Sequence, residues 1–421
     1  MNSDIGYSVN LAIKFQEASQ SHGTCRLVNF RNTNVAEGGT HLKKPILLLA
    51  VLMMLLAACG GGGATTTTGG GGTGEEVTPE LQALIDAAVA EGSLTTIALP
   101  DDWCNYRAVI DAFKAKYGLE VNELDPGAGS AEELEAIEAN KDNPGPQAPD
   151  VVDVGIAFGP QAKEAGQIQP YKVATWDDIP ADAKDADGYW YGDYYGVLAL
   201  EVNTAEVTNV PQGFGDLLNA DYNGQVALSG DPLTSNAAIL SVWAAGLATG
   251  ATGTEAAEAG LDFFRQMNEA GNFVPIDGDS RTVGIGETPI LIDWTYNSIA
   301  NDVALAGNPE LETVVPSDHR LAGVYVQAIS AYAPHPNAAK LWMEYLYSNE
   351  GQLGWAGGFC HPIRYQAMTE AGTVPAEVAA QLPSTEGAFF PTIAEIDAAK
   401  AVIVGGWDSV VGVTVAPSAS G

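Results

Sequence analysis

Carboxylates and aromatic side chains follow two predicted strands of this chain. The strand predicted over residues 94–99 leads into Asp101, Asp102, Trp103 and Tyr106, and the strand predicted over 290–293 ends in Asp293, Trp294 and Tyr296. An aromatic face beside carboxylates suits an ammonium or thiazolium group, through cation–π attraction of about 0.5–2 kcal/mol and charged hydrogen bonds. These residues are therefore candidates for a ligand-binding site. The alternative for each tryptophan is a place in the hydrophobic core.

Two loops that run into helix amino termini supply further candidates. The loop at residues 125–130 contains Gly129 and Ser130, and the loop at 229–236 contains Asp231, Thr234 and Ser235. Free backbone N–H groups at such positions can hold a carboxylate, phosphate or hydroxyl, although ordinary helix capping explains the same residue types. Asp193, in the aromatic segment 185–196, completes the predicted ligand-binding set.

The elements that position these loops alternate between strand and helix. Helices are predicted over 79–91, 105–117 and from Ser130 onward, and strands over 94–99, 119–124 and 151–154. This β-α-β-α-β order predicts a parallel sheet with helices on both faces, whose ligands sit at the carboxyl ends of the strands. The segment 185–196 predicts a hairpin turn between aromatic strands, in which the pair Tyr194-Tyr195 is interpreted as structural.

A second unit of the same kind follows an apolar strand over residues 197–202. Its predicted elements are a strand over 224–228, a helix to about Ala248, a helix over 255–270 and the strand at 290–293. A return crossing over 324–333 and a helix over 337–347 lead back to the first unit. Roughly 345 residues follow the glycine tract described next, more than one hydrophobic core usually serves, so two lobes are expected.

An export signal precedes both units. The predicted secretory signal consists of Lys43 and Lys44, an apolar run and the segment Leu56-Ala-Ala-Cys59. Its apolar run is too short to span a bilayer as a helix. Because cleavage falls before a cysteine, the site resembles the lipobox of bacterial lipoproteins, in which Cys59 carries the lipid; the alternative is an internal buried helix. Residues 60–74 form a Gly/Thr-rich tether. Residues 1–40 are excluded from fold reasoning, and our interpretation is a translation start annotated too far upstream.

Charge and cysteine content exclude several functions. The chain holds 18 Lys and Arg against 53 Asp and Glu, a formal net charge of −35. Such a field repels nucleic acid and anionic lipid headgroups, so membrane contact must come from the lipid anchor, and the simplest reason for the acidity is solubility. Beyond the signal only Cys104 and Cys360 remain, and exported cysteines usually pair, so a disulfide is predicted, with two free thiols as the alternative. No metal site or cofactor is predicted.

The order of these pieces resembles the extracellular solute-binding proteins of ABC importers, in the group that serves iron, thiamine and polyamines. Besides the lipobox, the likeness spans about residues 92–400, and its matching pieces are Asp102-Trp103, residues 187–192 before a strand ending in Val202-Asn203-Thr204, residues 226–232, and residues 286–290 before Asp293-Trp294. The resemblance implies a two-lobed α/β periplasmic-binding-protein-like fold of type II. Each lobe would be a mostly parallel sheet flanked by helices, with two strands crossing between the lobes.

The resemblance also implies boundaries, partners and roles. The expected parts are a signal region (1–58), a lipidated tether (59–77), lobe I (78–200 with 327–405), lobe II (201–326) and a tail (406–421). The expected function is capture of a small cationic or zwitterionic solute by lobe closure and its delivery to an ABC permease and ATPase, as a monomer on the outer face of the membrane. Trp103 and Trp294 match positions where polyamine binders place cleft aromatics.

Other ligands and other activities are the alternatives to this function. Iron binders of the group use adjacent tyrosines near Tyr296, and this chain supplies only one there. An anionic solute such as a phosphonate would need Arg107, Arg281 or Arg364 in the cleft, or the amides beside Thr234 and Ser235. Signatures of hydrolases and nucleotide-binding enzymes are lacking in the sequence, so we predict a binder rather than an enzyme. An exported hydrolase and a surface receptor that signals without transport are the alternatives.

Overall fold

A computed structural model describes residues 77–418 of the chain. The predicted signal region, lipidated Cys59 and the tether to residue 74 lie outside the described residues. The first half runs α1 (Pro79–Glu91), β1 (Ser93–Ile97), α2 (Tyr106–Tyr117), β2 (Glu120–Leu124), α3 (Ser130–Asn140), β3 (Val151–Gly155), α4 (Phe158–Glu164), β4 (Ile168–Gln169) and β5 (Trp190–Asn203).

The second half continues with the following helices and strands. They are β6 (Val226–Leu228), α5 (Asn236–Ala248), α6 (Gly253–Ala270), β7 (Phe273–Asp277), α7 (Ser280–Gly284), β8 (Ile290–Trp294), α8 (Thr295–Leu305), β9 (Leu311–Val314), β10 (Ala322–Ser330), α9 (Pro336–Leu346), α10 (Asn349–Gly357), β11 (His361–Pro362), α11 (Tyr365–Glu370), α12 (Ala376–Gln381) and α13 (Ile393–Val410). Among residues 77–418 no single helix is long and apolar enough to cross a membrane. The helices Asn236–Ala248 and Gly253–Ala270, which are bent by 100° at the break between them, reach that length and apolar composition only when they are taken together.

Local sequence signals explain most element boundaries. The Thr78 hydroxyl caps α1 by accepting from the Leu81 amide, and Gly92 ends that helix in the left-handed conformation with φ of 82°. Ser235 caps α5 in the same way, accepting from the Ala238 amide. The predicted helices and strands around these caps are confirmed within a few residues.

The strand β5 joins the two lobes. Its first part pairs with β10 in antiparallel register, from Trp190 opposite Ala328 to Val197 opposite Ala322. Its second part pairs with β8 on one side and β9 on the other, through Leu198 to Asn203. The turn at Gly188 is confirmed, but β5 runs unbroken from Trp190 into the predicted crossing strand.

The sheets are mixed rather than mostly parallel. The strands β1 and β2 pair in parallel, as do β6 with β7 and with β8. In contrast β3 pairs antiparallel with β10, and it contacts β1 through a hydrogen bond from the Asp150 amide to the Thr95 carbonyl (2.8 Å). The predicted β-α-β-α-β order is therefore confirmed, and β10, a strand from far along the chain, adds an antiparallel partner to β3.

The carboxyl-terminal part of the chain lies on the second lobe. Trp407 of α13 is fully buried and its ring packs on Phe264 of α6 and Phe273 of β7. Before α13 the chain crosses beside β10, where Phe389 bridges to Leu321. Together with β5 and β10, this segment is a further connection between the lobes. The predicted boundaries instead kept residues up to 405 in lobe I and treated 406–421 as a tail. The helix α13 is not among the predicted elements, and its contacts with α6 and β7 join segments more than a hundred residues apart, which no local sequence signal indicates.

Cys104 and Cys360 form a disulfide, as predicted. Their Cα atoms are 5.7 Å apart and 256 residues separate them in sequence. Cys104 follows β1 and Cys360 follows α10, so the bond joins two distant loops of the first lobe.

We expect reduction of this disulfide to lower the melting temperature markedly. In the chain-entropy model a loop of 256 residues restrains the unfolded chain by about 5 kcal/mol. The measurement is thermal unfolding with and without reductant, on the chain beginning at residue 75, which keeps no other cysteine. Intact mass should rise by two protons on reduction, and titration of two free thiols in the unreduced native protein would contradict the bond.

Candidate functional site

A cavity of about 990 Å³ lies between the two lobes. The loops that follow β1 and β2 line it from the first lobe, and the loops that follow β6 and β7, with β8 and α8, line it from the second. This is the carboxyl end of most of the parallel strands, where ligands bind in open α/β sheets.

The cavity lining is strongly acidic. Among the described residues that line it, Arg281 is the one basic side chain, whereas eleven carry carboxylic acids. These acids are Asp101, Asp102, Asp125, Glu132, Glu133, Asp153, Glu201, Asp231, Asp277, Asp279 and Asp293.

Asp153 is the most deeply placed carboxylate of the first lobe. It lies on β3, is 5 % exposed, and its Oδ2 accepts hydrogen bonds from the hydroxyls of Tyr106 (2.5 Å) and Tyr194 (2.7 Å). The Asp193 side chain is a further hydrogen-bonding neighbour of the Asp153 carboxyl group. Burial raises the pKa of Asp153 to about 7, although the two tyrosine hydrogen bonds favour the ionised form.

Two further buried acids surround Asp153. The Asp153 amide donates to Glu133 Oε2 (2.8 Å), and the Gln327 side chain donates to both the Tyr106 hydroxyl and Asp193 Oδ2 (3.0 Å each). Burial, followed by repulsion from Asp153, raises the pKa values of Glu133 and Asp193. Three carboxyl groups thus share a buried region with no basic side chain among these hydrogen-bond partners.

Asp293 occupies the corresponding place in the second lobe. It is 5 % exposed on β8, its Oδ2 accepts from the Asn297 side chain (2.9 Å), and the Trp294 amide and the Ser229 hydroxyl are further donors to its carboxyl group. Burial raises the pKa of Asp293 to about 7. Nearby on β5, burial raises the pKa of Glu201 to about 8 even though the Asn301 side chain donates a hydrogen bond to it.

Aromatic rings face the cavity beside these acids. Trp103 lines it, with its indole N–H donating to the Tyr194 hydroxyl (2.8 Å) and its ring 5.7 Å from that of Tyr325, which also lines it. Trp294 is fully buried, and the predicted position of Trp294 on the cleft surface is wrong: its ring packs behind the lining, against Gly323 and Tyr296. The β10 residue Tyr325 provides the second aromatic surface instead.

Nine of the thirteen predicted ligand-binding residues line the cavity. They are Asp101, Asp102, Trp103, Gly129, Ser130, Asp231, Thr234, Ser235 and Asp293. The structure does not bring the other four, Tyr106, Asp193, Trp294 and Tyr296, into the lining, and each is at most 1 % exposed. Their bulk and polar groups support the cavity wall from behind.

Some lining residues have structural partners. Arg107 pairs with Asp101 (3.3 Å), and the Ser235 hydroxyl donates to the Ser229 carbonyl (3.1 Å) while capping α5. The Gly155 amide donates to the Ser130 hydroxyl (3.1 Å). Asp153 and Asp293 also line the cavity and have no ion-pair partner among the described residues, so their carboxyl groups are the best candidates for binding a ligand.

Sequence reasoning missed Glu133, Asp153, Glu201 and Asp277. Asp153 and Glu201 each stand inside an apolar strand, Val151-Val152-Asp153-Val154 and Leu198-Ala199-Leu200-Glu201-Val202. A carboxylate in a strand otherwise read as buried is the signal that could have found both, since burial of an acid requires a partner or a function.

The lobes touch each other around the cavity. The Ser280 hydroxyl donates to Asp102 Oδ2 (2.5 Å), and the Ala131 amide donates to the Thr234 carbonyl (3.2 Å). At Gly155 a Cβ atom would lie only 2.1 Å from Asn236 Cγ, so glycine permits this close approach. The structure therefore has direct hydrogen bonds between the lobes.

A second polar cluster lies away from the cavity. His335 Nδ1 is 2.8 Å from Asp150 Oδ2, and His335 Nε2 is 3.0 Å from Ser93 Oγ, the connectivity of a Ser-His-Asp hydrolase. However, the amides beside it, of Asn337 and Ala338, donate to the Glu91 carboxylate (2.9 and 2.8 Å). Glu91 thus occupies the N–H groups that an oxyanion would need, so this cluster does not favour the hydrolase alternative.

Residues 147–398 match the family model described as bacterial extracellular solute-binding protein. The chain is also similar to solved structures. A periplasmic thiamin binding protein is 21 % identical, with TM-score 0.59, over 76 % of this chain and 96 % of that chain. The periplasmic binding protein AfuA from Actinobacillus pleuropneumoniae, with fructose-6-phosphate bound, is 19 % identical, with TM-score 0.57, over 76 % and 98 %.

A third solved structure has the same fold. It is a putative spermidine/putrescine ABC transporter protein from Listeria monocytogenes, 14 % identical, with TM-score 0.54, over 75 % of this chain and 98 % of that chain. These likenesses confirm the predicted two-lobed fold of type II.

Proposed function

This chain belongs to the bacterial extracellular solute-binding protein family, whose members are solute-binding proteins of ABC transporters, and we propose that its solute is a small organic cation. The observation that carries the proposal is the acidic lining of the cavity, in which Asp153 and Asp293, one from each lobe, are buried carboxyl groups without a basic partner among the described residues. A carboxylate held away from water costs free energy unless a cation or a donor meets it.

The other charges of the cavity support a cation over an anion. Arg281 is the one basic residue among the described lining residues, so a phosphate or phosphonate would face eleven acids with little compensation. A ferric ion is supported less, because Tyr296 is buried behind the lining and the described residues hold no group of three or more His, Cys, Asp or Glu arranged for a metal ion.

The aromatic surfaces narrow the class of cation. Trp103 and Tyr325 present rings to the cavity at which an ammonium or thiazolium group gains cation–π attraction, and their apolar faces can contact a hydrocarbon arm. We therefore propose a polyamine-like or thiamine-like solute. The structural likeness to proteins named for thiamin and for spermidine/putrescine is consistent with this class.

Lobe closure is the proposed mechanism. A cation that bridges Asp153 of the first lobe and Asp293 of the second binds the closed arrangement better than an open one, and so shifts the equilibrium toward closure by that differential affinity. The interlobe hydrogen bonds, Ser280 to Asp102 and Ala131 to Thr234, add to the closed state. The closed form is what we propose the permease receives.

The remaining parts of the proposal concern location and partners. We propose that a lipid on Cys59 and the tether of residues 60–74 hold a monomeric receptor near the permease and its ATPase, on the outer face of the membrane. A lipid chain can supply this attachment without a basic surface, which a net charge of −35 does not offer.

We expect cations, and not anions, to stabilise the protein. The measurement is a thermal-shift screen at pH 8 on the chain beginning at residue 75, which contains nearly all of the compact unit at residues 72–421, with putrescine, spermidine, thiamine, fructose 6-phosphate, a phosphonate and ferric citrate. A ligand at a hundred times its Kd stabilises the folded state by about 2.7 kcal/mol, which is readily seen as a higher melting temperature. A shift with fructose 6-phosphate or the phosphonate alone would contradict the proposal.

A further inference from the structure

The last described residues of the chain form a strap along β7. This C-terminal strap, residues 413–418, follows α13 after a turn at Gly412, where φ is 73°. The Ala416 amide donates to the Pro275 carbonyl (3.1 Å), and the Asp277 amide donates to the Ala416 carbonyl (2.8 Å). The strap therefore extends the sheet of the second lobe by a parallel bridge.

Both ends of the strap are fixed by side chains. The buried Trp407 ring donates from Nε1 to the Val413 carbonyl (2.8 Å), and the Ser418 hydroxyl contacts Asp279 Oδ2 (3.2 Å). Val415 is 5 % exposed and packs into the hydrophobic core. The strap is thus an ordered part of the second lobe.

The strap also forms part of the cavity wall. Val415, Pro417 and Ser418 line the cavity, next to Asp277 and Asp279, to which the strap is hydrogen-bonded. Apart from glycine, the other apolar lining residues of the second lobe are the small Ala300 and Ala304 among the described residues. The strap consequently supplies most of the apolar bulk on this side.

This arrangement places apolar surface immediately beside carboxylates. A cation that bridges Asp153 and Asp293 and extends toward Asp277 or Asp279 would place its carbon atoms along Val415 and Pro417. In a well-formed apolar pocket, one methylene group more or less changes the affinity by about tenfold. The strap lies beyond residues 147–398, the part that matches the family model, so the match gives it no role.

We propose that the C-terminal strap is a selectivity wall of the solute site, which determines the cations that fit by contacting their apolar part through Val415 and Pro417. The inference rests on the proposed function, because it takes the solute to be a cation. It assigns a role in solute selectivity to a segment whose other contacts are with β7 and the hydrophobic core of the second lobe.

The test compares affinity profiles rather than single affinities. Dissociation constants for putrescine, cadaverine, spermidine and thiamine are measured on the chain from residue 75 with Pro417→Ala, Val415→Ala, or both. Pro417 is exposed, so its substitution leaves the core intact, and it keeps the test decisive if Val415→Ala impairs folding. Val404→Ala is the matched control, since Val404 is an exposed valine of α13 that does not line the cavity.

We expect Pro417→Ala to change the affinity ratio between at least two of these cations by about fivefold or more, while Val404→Ala leaves the ratios unchanged. Unchanged ratios in Pro417→Ala and in the double variant overturn the inference, and so does a uniform loss for every cation, which would show that the strap only supports the lobe. Failure of all four cations to bind the unsubstituted chain is a separate result, because it overturns the cationic solute itself.

Discussion

Asp153→Asn and Asp293→Asn each weaken binding of a cationic solute by about ten- to a hundredfold without lowering the melting temperature. A hydrogen bond to a charged group contributes about 1.5–3 kcal/mol, and 1.4 kcal/mol corresponds to a tenfold change in Kd. Stability does not fall with it, since the oxygen that remains in each amide can still accept the hydrogen bonds now made to Oδ2 of Asp153 and of Asp293. At pH 8 the neutral amide also removes the cost of a buried negative charge.

The existing contacts can survive both substitutions. In the Asp153→Asn variant the remaining side-chain oxygen can still accept from the Tyr106 and Tyr194 hydroxyls, as Asp153 Oδ2 does in the unsubstituted chain. Asp182→Asn is the matched control, because Asp182 is an exposed acid outside the cavity lining. Weaker binding together with a lower melting temperature would indicate a structural role, and unchanged binding in both variants would show that the cation site is misplaced.

Raising the pH from 6 to 8 strengthens cation binding while it destabilises the ligand-free protein. Burial raises the folded-state pKa values of Asp153 and Asp293 to about 7 and of Glu201 to about 8, far above those of unfolded carboxyl groups. A bound cation favours the ionised carboxylates, so binding releases protons and the affinity rises with pH through this window.

The stability effect has the opposite sign. A carboxyl group with a raised folded-state pKa stabilises the fold fully below its unfolded pKa, and this contribution is lost as the pH rises through the folded value. Melting temperatures of the free and cation-bound protein at pH 6, 7 and 8 measure both effects. The ligand-induced shift should grow while the free protein melts lower. A ligand-induced shift that shrinks with rising pH would contradict the assignment, and Asp153→Asn with Asp293→Asn together should flatten both trends.

The sequence predicted the fold more completely than the site. Capping residues such as Thr78 and Ser235, and apolar strands such as β6 and β8, are local signals, so the elements and the two-lobed arrangement could be anticipated. Partners that arrive from far along the chain could not be anticipated. The pairing of β3 with β10 and the packing of α13 on α6 depend on contacts across more than a hundred residues.

Side-chain orientation explains the errors at the site. Trp103 lies in the loop after β1, at the cavity, whereas Trp294 is the last residue of β8, pairs with Leu198 in the sheet and is buried in the lobe interior. Asp153 lies on a strand predicted to belong to the sheet of the first lobe, and Tyr325 on a strand predicted to cross between the lobes. One face of each strand borders the cavity. Composition alone does not reveal which face of a strand borders the cavity.

The most direct test of the cationic solute compares a ligand with its uncharged counterpart. Isothermal titration calorimetry at pH 8 would follow the cation with the largest thermal shift and a neutral analogue of the same shape, such as putrescine and butane-1,4-diol in the diamine case. We predict saturable one-to-one binding of the cation and affinity at least about a hundredfold weaker for the neutral analogue, because the carboxylates of Asp153 and Asp293 would lose their charged partners. Equal affinity for the two compounds, or tight binding of an anion such as fructose 6-phosphate in their place, would contradict the account.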